Sequence, residues 1–283
     1  MIVPGSASQA LAAALADHAE RPLATPEYRW FPDGEACASV PDFAGEEAVV
    51  VAATDSNDAL VELLQLQDAV REAGAETVTT VLPYMGYARQ DRAFEEGQPV
   101  SARAVARAVS TGTDRVLLVT PHEAGVADYF DVPVEVLEAA PLLAEPLPAD
   151  LSEPLFLGPD ASAEELAVAV RDAYGGGETD FFEKARDYDT GEVTVTPGDA
   201  DVAGRDVVVV DDIIATGSTM SEAVAALHER DCDDVYTACV HGMLASNART
   251  KLAAAGVTRV VASDTLERAE SDVSVAPLVA DAL

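Results

Sequence analysis

The chain has 283 residues, 49% of them hydrophobic, enough for one large core or two medium ones, and length alone favours about two domains. Its 51 Asp and Glu against 17 Lys and Arg leave a formal net charge of -34, which argues against nonspecific nucleic-acid binding, because phosphate neutralisation needs clustered Lys and Arg. No run approaches the ~20 apolar residues of a membrane helix, Met1-Ile2-Val3-Pro4 lacks the basic start of a secretory signal, and Cys37, Cys232 and Cys239 form no CxxC or His-Cys cluster. The expectation is a cytoplasmic chain with no membrane partner, no disulfide framework and no zinc site. The acids are interleaved with apolar runs such as Val207-Val208-Val209-Val210, so a folded protein is expected rather than a disordered acidic one. Self-repulsion of this size is screened at molar salt, where the Debye length is about 3 Å, and a halophilic cytoplasm explains the composition.

In chain order, the first feature is Phe31-Pro32-Asp33-Gly34-Glu35, whose Pro-Asp-Gly reads as a turn. Strands are expected at residues 49–53, 77–82, 115–120, 206–211, 235–240 and 258–262, with helices at 59–73 and 221–229, where Leu60, Leu63, Leu64 and Val70, then Val224 and Leu227, share one face. Short β-branched runs alternating with helical patterns indicate an α/β protein with mainly parallel sheets. The strand at Val50-Val51 with its following helix and the strand from Val78 recurs 157 positions later from Val207-Val208 to Val235, the echo of a duplicated unit. The Pro-rich stretch 140–154 is the natural junction, giving expected domains 1–140 and 141–283.

The strand expected at 206–211 runs into Asp211, Asp212, Ile213, Ile214, Ala215, Thr216, Gly217, Ser218 and Thr219. Such a loop offers backbone N–H groups, hydroxyls and a helix N-terminus to a phosphate, while the adjacent carboxylates suit ribose hydroxyls or a metal-bound group. It has no Walker lysine, and an ordinary strand-to-helix turn remains the bland alternative. Upstream, Pro83-Tyr84-Met85-Gly86-Tyr87-Ala88-Arg89-Gln90-Asp91 combines aromatic rings with Arg89, a phosphate-binding group. Thr120-Pro121-His122 ends a strand, where an imidazole can reach a metal or phosphate, although a lone His is more often structural. Gly175-Gly176-Gly177 leads to Phe181-Phe182-Glu183-Lys184-Ala185-Arg186 and polar residues up to Pro197, which reads as a mobile excursion between helix and strand. Lys184 and Lys251 are the only lysines in the chain.

The loop from Asp211 to Thr219 resembles the 5-phosphoribosyl 1-diphosphate loop of the phosphoribosyltransferase-like fold, and the other segments, in order and spacing, resemble those of ribose-phosphate pyrophosphokinases of halophilic archaeal type. The resemblance implies two similar phosphoribosyltransferase-like domains, each a mainly parallel sheet flanked by helices. It implies a magnesium-dependent transferase acting on ATP and ribose 5-phosphate in nucleotide biosynthesis. By resemblance, Phe31, Asp33, Gly34, Glu35, Arg89, Gln90 and Asp91 bind ATP. Asp211, Asp212, Ala215, Thr216, Gly217, Ser218, Thr219 and Arg186 bind ribose 5-phosphate, Lys184 and Arg186 are catalytic, and His122 and Asp160 lie near Mg2+. A homodimer or higher homo-oligomer is implied as well. A phosphoribosyltransferase shares the loop at 211–219 but has no need of the paired ATP segments; a non-catalytic regulatory relative typically has a damaged Lys-x-Arg loop.

Overall fold

In a computed structural model of the chain, the backbone is described for residues 1–186, 193–197 and 200–283, and the side chains for residues 1–182 and 200–283. Two compact units are present. One comprises Met1–Glu138, Thr265–Glu267 and Ser274–Leu283, the other Ala139–Asp264 and Arg268–Val273.

In the first unit β1 (Ile2–Pro4), α1 (Gln9–His18), β2 (Glu27–Trp30) and β3 (Ala36–Ser39) are followed by β4 (Glu47–Val51), α2 (Asn57–Glu72), β5 (Thr77–Leu82), α3 (Ser101–Ser110), β6 (Arg115–Val119) and β7 (Val134–Leu137). Strands β1, β4, β5, β6 and β7 lie side by side in that order, all parallel. The run Val49-Val50-Val51 is buried throughout, as a strand covered on both faces requires. Against it α2 sets Leu63, Leu66 and Val70, its N-terminus capped by Ser56, whose Oγ accepts from Ala59 N at 3.1 Å. The β2–β3 hairpin stands apart from the sheet and is fastened to α2 by Gln65, which accepts from Ala38 N and donates to Ala36 O.

The second unit runs β8 (Leu155–Gly158), α4 (Glu164–Tyr174), β9 (Glu178–Arg186), β10 (Val193–Pro197), β11 (Val207–Ile213), α5 (Ser218–His228), β12 (Val235–His241), α6 (Ala248–Ala255), β13 (Arg259–Ser263) and β14 (Ser271–Val273). Its sheet has the order β10-β9-β8-β11-β12-β13-β14, with only β10 antiparallel. Its core gathers Leu155, Leu157, Val207, Val209, Val224 and Leu227. The order β8-β11-β12-β13-β14 repeats β1-β4-β5-β6-β7, and each unit places a hairpin between its first helix and its second sheet strand, so the echo at 157 positions reflects one αβ arrangement used twice.

Of the stretch expected as a mobile excursion after Gly177, β9 leaves α4 and β10 returns, Val193 opposite Arg186 and Pro197 opposite Phe182, while residues 187–192 and 198–199 lie outside the described residues. Phe182 is buried, and β9 extends the sheet beside β8.

The C-terminal helix α7 (Ala276–Asp281) belongs to the first unit, packed on α1. The Glu267 carboxylate accepts from Ala10 N at 2.7 Å and Leu11 N at 3.0 Å, filling the cap role at α1 that Ser8 leaves by accepting from Ala53 N. Among the described residues, no helix is long and apolar enough to cross a membrane.

Candidate active site

In the second unit the site forms where β11 gives way to α5, at the carboxyl edge of a parallel sheet, the usual place for a ligand in this class of fold. Asp211 and Asp212 lie near the end of the strand, Asp212 N donating to Asp211 Oδ1 at 2.9 Å. Asp160, which follows β8, lies close enough to add its charge to theirs. Burial, then the adjoining Asp212 carboxylate, pushes the Asp211 carboxyl up to about 8. Burial therefore favours its protonated form, which can donate a hydrogen bond to a sugar oxygen, whereas a cation nearby would favour the ionised carboxylate.

The turn itself is set by Gly217, which has φ +71 just before α5 and would carry a Cβ 3.3 Å from the Ala248 backbone. The loop rests on the segment after β12 through Leu244 N to Ile214 O at 2.9 Å and Ala245 N to Ala215 O at 2.8 Å. Thr216 and Thr219 are exposed and Ser218 half-buried, their hydroxyls beside the free N–H groups of the first helical turn. Thr216 Oγ1 and Ser218 Oγ are 3.4 Å apart. Asp211, Asp212, Ala215, Thr216, Gly217, Ser218 and Thr219 are thus brought together in one turn that sets hydroxyls and a helix N-terminus beside carboxyl groups.

The first unit carries the other expected residues. Phe31, Asp33, Gly34 and Glu35 form the tip of the β2–β3 hairpin, closed by Phe31 N to Glu35 O at 2.8 Å, with Gly34 at φ +92 and Glu35 N on Asp33 Oδ1. Trp30 and Phe31 are exposed there, 59% and 39%, and the Arg29 guanidinium lies 5.0 Å from the Phe31 ring. Solvent-facing aromatic rings at a hairpin tip are available to stack on a base.

After β5 the chain folds back on the loop that follows β4. Thr54 N donates to Tyr84 O at 2.9 Å, and Gly86 N donates to Thr54 Oγ1 at 2.8 Å. A Cβ on Gly86 would stand 2.0 Å from the Thr54 carbonyl oxygen, so only glycine fits. Tyr84 is buried in the core and Tyr87, at φ +66, bonds Asn57 through its hydroxyl. Beyond them Arg89 is exposed, without a hydrogen bond or ion pair among the described residues, while Gln90 accepts from Ser101 and the Asp91 carbonyl accepts from Tyr129. His122 is exposed after β6, beyond Thr120, a buried β-branched residue at φ +34. Left-handed backbone at such a residue is strained by ~1–3 kcal/mol.

Lys184 and Arg186 are placed only as backbone positions of β9, paired with Val195 and Val193; their side chains lie outside the described residues. Among the described residues no three His, Cys, Asp or Glu side chains form a metal-binding group. Magnesium commonly takes only one or two carboxylates and completes its shell with water and substrate phosphates. An oxygen donor such as the Asp160 carboxylate suits that ion.

Sequence reasoning missed Lys251, whose Nζ donates to Ser218 Oγ at 2.7 Å from α6. Its rarity in the chain was the only signal, since 33 residues separate it from the loop.

Residues 1–112 match the model of the N-terminal domain of ribose phosphate pyrophosphokinase, and residues 126–277 match that of the phosphoribosyl transferase domain. The ribose-phosphate pyrophosphokinase of Halobacterium salinarum is 59% identical over the full length of both chains, and that of Methanopyrus kandleri 44% identical over 95% of this chain and 93% of its own. The crystal structure of phosphoribosylpyrophosphate synthetase from Mycobacterium smegmatis superposes with a TM-score of 0.86 at 29% identity, covering all of this chain and 96% of that one. With both units matched by one enzyme family from end to end, the chain belongs to the ribose-phosphate pyrophosphokinases.

Proposed function

We propose that the chain transfers the β,γ-pyrophosphoryl group of MgATP to the 1-hydroxyl of ribose 5-phosphate, giving 5-phosphoribosyl 1-diphosphate and AMP for nucleotide biosynthesis. The observation that carries this reading is the β11–α5 turn, a carboxylate pair and a hydroxyl-lined anion cradle side by side, in a chain similar to pyrophosphokinases along its whole length. In this reading the second unit, near the expected domain 141–283, holds ribose 5-phosphate. Its phosphate lies in the cradle of residues 215–219 and its ring hydroxyls against Asp211 and Asp212. The first unit, near the expected domain 1–140, holds ATP through Phe31, Asp33, Gly34, Glu35, Arg89, Gln90 and Asp91.

The reaction forms a bond between O1 of the sugar and the β-phosphorus and breaks the bond to the oxygen that leaves on AMP; the hydroxyl proton passes to water. Such transfers need in-line placement and neutralisation of spreading charge more than covalent help. Lys184 and Arg186 are assigned to that neutralisation, and Arg186 also to ribose 5-phosphate. His122 and Asp160, each just beyond a strand end of its own unit, are assigned to Mg2+. Held there, the ion would supply positive charge to offset that of the phosphates. The same reading places the chain in a salt-rich cytoplasm as a homodimer or larger homo-oligomer, which sedimentation in molar KCl tests; a monomer carrying full activity sinks that part.

The deciding experiment incubates the chain with ATP, ribose 5-phosphate and magnesium chloride in molar KCl. Equal amounts of AMP and 5-phosphoribosyl 1-diphosphate are expected. Formation of ADP in place of AMP, or no product at any salt concentration, rules the reading out.

A further inference from the structure

Lys251 sits where a purely structural lysine is out of place. It reaches from α6 to Ser218, the first residue of the eleven-residue α5, and so brings an ammonium to the helix end that already carries positive partial charge. A cation there weakens the helix unless an anion joins it. The surrounding chemistry offers none: among the described residues Lys251 has no carboxylate within ion-pair distance, in a chain with three times as many acids as bases. Its helix neighbour Arg249 is by contrast locked to Glu270 at 2.6 and 2.9 Å.

Hydrogen positions sharpen the point. Ser218 Oγ accepts from Lys251 Nζ, so the hydroxyl proton of Ser218 is left to donate elsewhere, and the ammonium has two further N–H groups in hand. Thr216 Oγ1, 3.4 Å from Ser218 Oγ, adds another hydroxyl on the loop side. These donors converge beside the N–H groups of the first turn of α5. An anion with several oxygens satisfies them together, and it turns the unfavourable lysine–helix pairing into a favourable three-way one.

We propose that Lys251 is a binding residue for the 5-phosphate of ribose 5-phosphate, supplying from α6 the positive charge that the loop at 211–219 lacks in its own sequence. The inference rests on the assignment of that loop to ribose 5-phosphate. Direct contact matters in this setting, since at molar salt a charge more than about 3 Å away is screened.

The test compares the wild-type chain with Lys251→Met, which keeps the apolar stem, and Lys251→Arg, which keeps the charge. At saturating MgATP in molar KCl, Lys251→Met should raise the KM for ribose 5-phosphate about 10- to 100-fold, the loss of one charge-assisted contact. The kcat and the KM for ATP should stay within about threefold, and Lys251→Arg should recover most of the loss. A KM for ribose 5-phosphate within twofold of wild type in Lys251→Met overturns the proposal, as does a fall in kcat with that KM unchanged, the pattern of a lysine that only braces α5 against α6. Inorganic phosphate provides a readout free of turnover: its stabilisation of the wild-type thermal midpoint should vanish in Lys251→Met and persist in Lys251→Arg. Equal stabilisation of all three chains also overturns it. If the wild-type chain forms no product yet phosphate stabilises it through Lys251, the reaction assignment fails while the phosphate site stands; if it forms product and Lys251→Met is unaffected, only the lysine assignment fails.

Discussion

Replacing Gly86 with alanine places a methyl carbon 2.0 Å from the Thr54 carbonyl oxygen, where ordinary carbon–oxygen contact begins at about 3.3 Å. The turn after β5 must then retreat by roughly 1.3 Å, the difference between those two separations. Retreat of that size stretches the 2.8 Å bond from Gly86 N to Thr54 Oγ1 and the 2.9 Å bond from Thr54 N to Tyr84 O, both buried. Leaving one buried partner unsatisfied costs about 1–3 kcal/mol, so Gly86→Ala should lose ~2–4 kcal/mol of stability, read as a lowered guanidinium midpoint in molar KCl. The same retreat shifts Arg89 and Gln90, so the KM for ATP should rise more than that for ribose 5-phosphate. Gly34→Ala is the control, because its Cβ meets nothing within 4 Å and only the φ of +92 opposes it, at about 1–2 kcal/mol. If Gly86→Ala costs no more than Gly34→Ala and leaves the KM for ATP unchanged, the steric reasoning at Thr54 is wrong.

Lys184→Ala should lower turnover by several powers of ten with little change in ribose 5-phosphate binding, since the assigned role is in the transition state; undiminished turnover removes β9 from the mechanism. Because burial raises Asp211 to about 8 from an ordinary value near 4, the folded chain holds more protons than the unfolded one between those limits. Its stabilising contribution is therefore complete below pH ~4 and lost as pH rises towards ~8, so Asp211→Asn should flatten the stability profile in that window relative to wild type, measured by denaturation at each pH. Identical profiles for the two chains contradict the raised value. His122→Ala and Asp160→Ala should each increase the magnesium concentration needed for half-maximal activity; a change confined to ATP dependence withdraws the metal assignment. The thermal midpoint should climb steeply from low to molar KCl as the charge of -34 is screened, and a flat response argues against halophilic adaptation.

What the sequence could determine alone was local. The β-branched runs at residues 77–82 and 235–240 and, on the helical face, Leu63 and Val70 sit where their periodicity puts them, because strand and helix periods are written in neighbouring residues; Leu60 and Leu64 are only half-buried, and Leu66 is buried in their place. The repeat at 157 positions and the loop from Asp211 to Thr219 were legible for the same reason, being contiguous stretches whose chemistry needs no distant partner. The β9–β10 hairpin was not, since the charged and polar residues between Phe182 and Pro197 conceal a pairing made edge to edge with β8. Nor was the return of α7 to the first unit, where its apolar face finds α1. The contacts that decide the site's chemistry span long separations: Gly86 is required by Thr54, 32 residues away, and Lys251 meets Ser218 across 33. Asp211 owes its raised value to burial and to Asp212 and Asp160, one neighbour in sequence and one brought beside it by the pairing of β8 with β11. Charge, desolvation and steric exclusion act through space, so only the tertiary structure could say which residues feel them.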